Sequence, residues 1–249
     1  MIANGHALCA VSTFGTVLLK NLEESLLANI PPFRKLDRSQ IREILDAATP
    51  KRYEVGTAIF DEGLKAEHFY LLLDGHIRVV KTTPDGDQVI ALHVASGQLF
   101  GIAAALGKEK YPATAMAAKE CLTLSWPNRL WAQFVASYDG FATETYKVVG
   151  DRMEEVNNRV VEMATQQVEQ RVAAVILRLI RQAGRKVDDG IEIDFPITRQ
   201  NISEMTGTTL HTVSRLLSAW EKAGIVASKR SKVTVTRAHE LVLISEASH

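Results

Sequence analysis

Residues 197–226 read ITRQNISEMTGTTLHTVSRLLSAWEKAGIV. Thr198 offers the side-chain oxygen of a helix N-cap, and Ile202 and Met205 fall on one face of the helix that would follow it. Gly207 permits the sharp turn that ends this helix. Thr208 or Thr209 can cap a second helix, whose inward stripe is Val213, Leu216, Leu217 and Trp220, with Leu210 partly inward. Gly224 stops it. Strand-like pieces follow at 225–228 and 232–236, with Lys229-Arg230-Ser231 at the turn between them. Cap, helix, turn glycine, helix and β-wing in this order predict a winged helix-turn-helix.

The chemistry of the stretch agrees with that geometry. From Ile197 to Arg237 there are seven cations (Arg199, Arg215, Lys222, Lys229, Arg230, Lys232, Arg237) and two acids (Glu204, Glu221), a local excess of +5 in a chain whose net charge is zero. A phosphate backbone rewards such an excess through counterion release. The second helix is expected to present Leu210, His211, Ser214 and Arg215 to base edges. Arginine can bond both guanine acceptors, Ser and His can donate or accept, and leucine can touch a thymine methyl. Thr198, Arg199, Gln200, Thr208 and Thr209 stand where helix N-termini meet phosphates, and Lys229 and Arg230 where a wing would.

Upstream, the hydrophobic period is helical. Tyr146, Val149, Met153, Val156, Val160 and Met163 are spaced 3, 4, 3, 4, 3, with Arg152, Glu154, Glu155, Arg159 and Glu162 beside them. An amphipathic helix packed on its own domain could show such a stripe. A narrow heptad seam between charged flanks favours pairing with a second copy, as a parallel coiled coil. Residues 171–183 read as a further helix with Gly184 as C-cap, and 190–196 as a short strand.

Further upstream the texture is β-rich. Strands are predicted at 57–60, 68–73, 76–81, 88–94, 113–116 and 122–126, with glycines between them and a hairpin turn at Thr83-Pro84-Asp85-Gly86. Many short strands argue for an antiparallel roll that is packed shut or holds a small ligand. Helical spacing recurs at 21–28 and 39–48, and residues 1–20 read as irregular.

The expected architecture is α+β: an N-terminal extension (1–28), an antiparallel β-roll effector domain (29–138), a dimerisation helix (139–167) and a winged helix-turn-helix DNA-binding domain (168–249). The 249 residues suit two domains, and 46% apolar with 23% charged residues is an ordinary globular composition. No apolar run approaches the roughly 20 residues of a membrane span. Two distant cysteines, Cys9 and Cys121, give no metal knuckle and no disulfide framework, and no secretory signal is read, so a cytoplasmic protein is expected. No GxSxG, P-loop or HExxH motif occurs, so no catalysis is expected.

Several motifs together carry a family resemblance. They are Gly56…Phe60-Asp61-Glu62-Gly63…Phe69-Tyr70…Leu73-Asp74-Gly75, the corner Gly97-Gln98-Leu99-Phe100-Gly101, and ITRQ…G…TVSR. Over nearly all of residues 27–240 the chain resembles the cyclic-AMP receptor protein and fumarate–nitrate reduction regulator family. The resemblance implies a homodimer on a pseudo-palindromic operator in double-stranded DNA, in contact with RNA polymerase. His211 stands where an acidic residue is common in the fumarate–nitrate branch.

Cyclic-AMP binders of this family place a Glu after the Phe-Gly corner and an Arg before the next strand. Here Ile102-Ala103-Ala104-Ala105 follow the corner, and the expected Arg position falls at or beside Pro112, so tight cyclic-nucleotide binding is not expected. A four-cysteine iron–sulfur cluster within one chain is excluded by the cysteine count. The texture around Phe100, Gly101, Ile102, Tyr111 and Pro112, the expected effector pocket, looks like that of the nitric-oxide-responsive denitrification regulators. That likeness implies sensing through haem, with His68, His76, His93 or Cys121 as axial-ligand candidates. Two other readings stand beside this one: a cupin-like metal enzyme, and an effector-independent DNA-binding protein whose roll is closed. No metal site is expected from the scattered histidines.

Overall fold

The computed structural model describes residues 23–247, the side chain of Leu26 excepted. The expectations for residues 1–20, Cys9 included, lie outside the described residues. The chain divides into two compact units. One holds the described residues up to Ile77 together with Val94–Arg152; the other holds Arg78–His93 together with the residues from Met153 onward.

In chain order the elements begin with α1 (Ser25–Ala28) and α2 (Arg38–Asp46), then β1 (Thr49–Tyr53), β2 (Ala58–Phe60) and β3 (His68–Asp74). Next come β4 (His76–Thr82) and β5 (Gln88–Ala95), through which the division between the units runs. After β6 (Leu99–Phe100), β7 (Thr114–Ala117) and β8 (Cys121–Pro127) the chain turns helical, with α3 (Trp131–Ser137) and the 25-residue α4 (Phe141–Thr165).

In the first unit β1, β8, β3 and β6 form one antiparallel sheet in that order, and β2 pairs with β7. Strand β3 is buried on both faces, as a central strand must be. On one face Phe69 and Leu71 join Trp126, Trp131, Phe134 and Phe141 in the main core. Phe69 stacks on Trp126 at 5.4 Å and meets Trp131 edge-on at 5.1 Å. The buried Trp126 indole N–H donates to the Ile44 carbonyl at 2.8 Å, which satisfies the only polar atom of that ring. On the other face Tyr70 stacks on Phe60 and Phe100. The sequence reading lacks β1, β6 and α3. Strand β1 is a mostly exposed edge strand containing Pro50, with Tyr53 its one buried residue, so it shows no alternation.

The second unit adds α5 (Val168–Ala183), β9 (Gly184–Val187), β10 (Gly190–Ile193), α6 (Arg199–Thr206), α7 (Leu210–Lys222), β11 (Val226–Lys229), β12 (Lys232–Val235) and α8 (Ala238–Glu246). Its sheet runs β11-β12-β10-β9, antiparallel throughout. Val172, Ile176, Leu179, Ile202, Val213, Leu217 and Leu241 are buried in its interior. Gly184 is the C-cap of α5, as expected. Its backbone is extended (φ −86°) rather than left-handed, and it opens β9. The need for glycine there is close approach: a Cβ would stand 2.2 Å from the Ile180 carbonyl oxygen.

Candidate nucleic-acid interface

Helix α6 begins where its sequence demands. Thr198 Oγ1 accepts from the Asn201 amide at 3.1 Å, and Asn201 Oδ1 accepts from the Thr198 amide at 3.1 Å, a reciprocal cap. Gly207 ends it at φ 62°, donating its N–H to Ser203 O. Of the two threonines available to cap α7, Thr209 does so, accepting from the Thr212 amide at 3.1 Å.

Val213, Leu216, Leu217 and Trp220 of α7 are buried, and the Trp220 indole donates to Glu169 at 3.2 Å. That burial turns His211 and Arg215 outward. Both are exposed, Ser214 is half-buried, and Leu210, read as partly inward, is 46% exposed. Thr198, Gln200 and Thr209 are exposed and Thr208 half-buried, while Gln200 donates to Glu204 at 3.0 Å.

The wing turn is tight. Lys229 pairs with Lys232 across it, and Arg230 and Ser231 form its tip with φ of 50° and 62°. Positive φ at both central residues matches the twist of the flanking strands. The Ile197 amide donates to Ser231 O at 2.7 Å, which fixes the wing beside the start of α6. Ile197, Thr198, Arg199 and residues 228–233 line a shallow groove between them.

The structure redistributes the charge counted in the sequence. Arg199 turns inward: its guanidinium donates to Glu221 at 3.3 Å, to Ser218 Oγ at 3.4 Å and to Ser214 O and Ser228 Oγ at 3.5 Å each. Ser228 Oγ also donates to Glu221. Arg199 therefore braces α6, α7 and β11 against one another rather than facing outward. Lys232 is paired with Glu192 at 3.1 Å, and Arg237 with Glu240. Lys232 and Arg185 together hold the Glu192 carboxyl below the usual carboxylate range. Arg215, Lys222, Lys229 and Arg230 are exposed, and among the described residues none of these four has a carboxylate partner.

On α4, Tyr146, Met153, Val156, Val160 and Met163 are exposed, by 38–62%. Val149 departs from the expected seam: it packs against the core of the first unit. The charges beside the seam also differ from a solvated flank. Arg152, Glu155 and Glu162 are half-buried, Arg159 is buried, and Arg178 of α5 reaches Glu162 at 2.5 Å. One side of the helix packs on its own chain, so a regular heptad in the sequence fills only part of the free stripe.

In the β-roll, Phe60, Tyr70, Phe100 and Tyr111 form a ring stack. Phe60 lies 3.8 Å from Tyr111, 5.6 Å from Tyr70 and 6.1 Å from Phe100, centroid to centroid. Tyr111 Oη donates to the His68 carbonyl at 2.7 Å. Burial raises the Tyr70 and Tyr111 phenols above their ordinary value and pushes Tyr53 up to about 12. Gly101 lies against the Tyr70 ring, Ile102 is buried in the main core, and Pro112 is exposed.

The haem-ligand candidates are separated in kind. His68 is half-buried beside Tyr70, and His93 packs on Phe195 at 5.1 Å. Cys121 Sγ donates to the carbonyls of His76 (3.3 Å) and Lys119 (3.1 Å), and burial raises its pKa. A thiol held protonated in this way does not fit an axial thiolate. Among the described residues no three His, Cys, Asp or Glu side chains gather to hold a metal ion, and no helix is long and apolar enough to cross a membrane.

A winged helix-turn-helix with an outward cationic face, following a long helix and an antiparallel β domain, defines a DNA-binding regulator. Comparison with known proteins agrees. Residues 50–138 match the cyclic nucleotide-binding domain, and residues 170–244 match the Crp-like helix-turn-helix domain. The chain is 19% identical to the CRP-like cAMP-activated global transcriptional regulator of Mycobacterium tuberculosis over 218 residues, 88% of this chain and 97% of that protein. It is 23% identical to the fumarate and nitrate reduction regulatory protein of Salmonella typhimurium over 207 residues, 83% of this chain and 81% of that protein. The structure of FixK2 from Bradyrhizobium japonicum superposes with a TM-score of 0.71 at 21% identity, covering 81% of this chain and 99% of that one. A cyclic nucleotide-binding-type domain followed by a Crp-like helix-turn-helix domain is the make-up of a Crp/Fnr-type DNA-binding transcription regulator.

Proposed function

We propose that this regulator acts as a homodimer on a pseudo-palindromic operator, gated by a signal received in its β-roll. The outward face of α7 carries the reading. Its buried stripe leaves Leu210, His211, Ser214 and Arg215 to meet base edges in the major groove. Thr198, Gln200, Thr208, Thr209, Lys229 and Arg230 contact phosphates, while Arg199 is a positioning residue that fixes α6 against α7 and the wing. The exposed stripe of α4 pairs with that of a second copy. Two reading helices then stand about 34–36 Å apart, in successive major grooves. RNA polymerase is the downstream partner, on the strength of the family resemblance. A soluble DNA-bound role accords with a cytoplasmic protein.

The signal is not cyclic AMP. A buried cyclic phosphate needs a cation. The position where cyclic-AMP-binding relatives carry that cation falls at or beside Pro112. Titration calorimetry with cyclic AMP is expected to show no micromolar binding; a saturable micromolar isotherm would overturn this. Nitric oxide is the signal to test first, because of the likeness around Phe100-Gly101-Ile102, although the residues present do not fit a haem with a Cys121 ligand. The ring stack of Phe60, Tyr70, Phe100 and Tyr111 favours a second reading, a closed roll with no small-molecule control.

Selection of bound sites from a random DNA pool, with and without nitric oxide, tests the whole reading. Enrichment of a two-fold symmetric sequence supports a dimeric reader, and a change with nitric oxide supports gating by it. Equal enrichment in both arms supports the closed roll, and no enrichment in either arm sinks sequence-specific binding.

A further inference from the structure

We propose that the first unit holds a phenol-recognising site which the chain fills with its own Tyr111, and that free phenols are the molecules able to displace that ring, a claim that rests on the reading above of the roll as a signal-receiving domain. Every residue involved lies in this one unit. Residues 106–112 are exposed apart from Tyr111, which is 4% exposed. A surface segment therefore sends a single ring inward. That ring stacks on Phe60 with centroids 3.8 Å and planes 16° apart. Phe60 stacks on Tyr70 at 5.6 Å, and Tyr70 on Phe100 at 5.0 Å.

The hydroxyl is received as specifically as the ring. Tyr111 Oη donates to the His68 carbonyl at 2.7 Å, accepts from the His68 amide at 3.2 Å and accepts from the Tyr70 hydroxyl. One donor and two acceptor positions are the whole capacity of a phenol. Burial raises the Tyr70 and Tyr111 phenols, so both keep the protons that these bonds need. The backbone corner is shaped to the stack as well. A Cβ on Gly101 would stand 2.8 Å from the Tyr70 ring and 3.0 Å from that of Phe60.

An interior that needed only filling would be served by leucine, with no hydroxyl to satisfy. Here the ring has an aromatic partner and every polar position of its hydroxyl is matched. The segment that carries it is tied down by few bonds. Gly63 N–H donates to Tyr111 O at 2.9 Å, Tyr111 N–H to Leu64 O at 2.9 Å and Ala66 N–H to Glu109 O at 2.8 Å. A free phenol offers the same face and the same hydroxyl as the tyrosine side chain. It must compete with a group of the same chain, so it binds the intact protein more weakly than it would bind the vacated site. Aromatic faces and a neutral hydroxyl partner match neither an aliphatic molecule nor an anion.

The test uses the full chain with p-cresol, which is the tyrosine side chain as a free molecule, and toluene, which lacks only the hydroxyl. Calorimetry of Tyr111→Ala is expected to show saturable one-to-one binding of p-cresol, at least about 10-fold tighter than toluene. The wild type should bind p-cresol about 10-fold or more weakly than the variant, because its own ring competes. Equal affinity for the two compounds, or no binding of p-cresol, overturns phenol recognition. Equal affinity of wild type and variant for p-cresol overturns self-occupation. Should Tyr111→Ala fail to fold, hydrogen exchange of the wild type decides. Millimolar p-cresol should speed exchange of the Gly63, Ala66 and Tyr111 amides and toluene should not, and unchanged protection overturns the proposal. A chain that binds p-cresol in this way while its DNA affinity stays constant defeats the signal-receiving reading and leaves the site standing.

Discussion

Met153→Asp is expected to sediment as a monomer at concentrations where the wild type is a dimer. Met153 is 60% exposed and sits at the middle of the free stripe, between Tyr146 and Met163. Pairing two copies would bury a carboxylate from each, opposite one another and without cations, at a cost of several kcal/mol. A loss of that size converts a nanomolar association into one near or above micromolar. Val149→Asp is the informative contrast. Val149 packs on the first unit's core, so that change should lower the melting temperature of the β domain before it affects pairing. A Met153→Asp protein that remains a dimer would place the interface elsewhere.

Arg215→Ala is expected to lower affinity for the selected operator by about 1–3 kcal/mol, roughly 5- to 150-fold, and to relax preference at one base position in each half-site. Arg215 is exposed on the face of α7 opposite Val213 and Leu217, with no carboxylate partner to release before it can bind. Lys229→Ala should instead weaken all sequences alike and flatten the salt dependence by about one unit of slope. Equal losses on operator and random DNA for Arg215→Ala would remove it from base reading.

The winged helix-turn-helix was legible because its signals are local. Thr198, Gly207 and the stripe Val213-Leu216-Leu217-Trp220 act within a few residues, and each takes its expected part. What stayed hidden depends on distant residues. Arg199 reads as an outward cation until α7 supplies Glu221 and β11 supplies Ser228. Lys232 counts as free charge until Glu192, outside the counted stretch, pairs with it. The heptad spacing on α4 located its free stripe, but spacing alone could not assign Val149 to an internal core or set Arg159 among main-chain carbonyls. Strands β1 and β6 escaped notice because one is a polar edge and the other has two residues.

The wing tip has a consequence for anyone improving the protein. Arg230 and Ser231 hold a left-handed backbone that side chains other than glycine and asparagine resist, at about 1–2 kcal/mol each. A screen that rewards heat tolerance alone would drift toward glycine at 230 and 231. The resulting variants would be hardier, and they would have shed the guanidinium at the end of the β-ribbon.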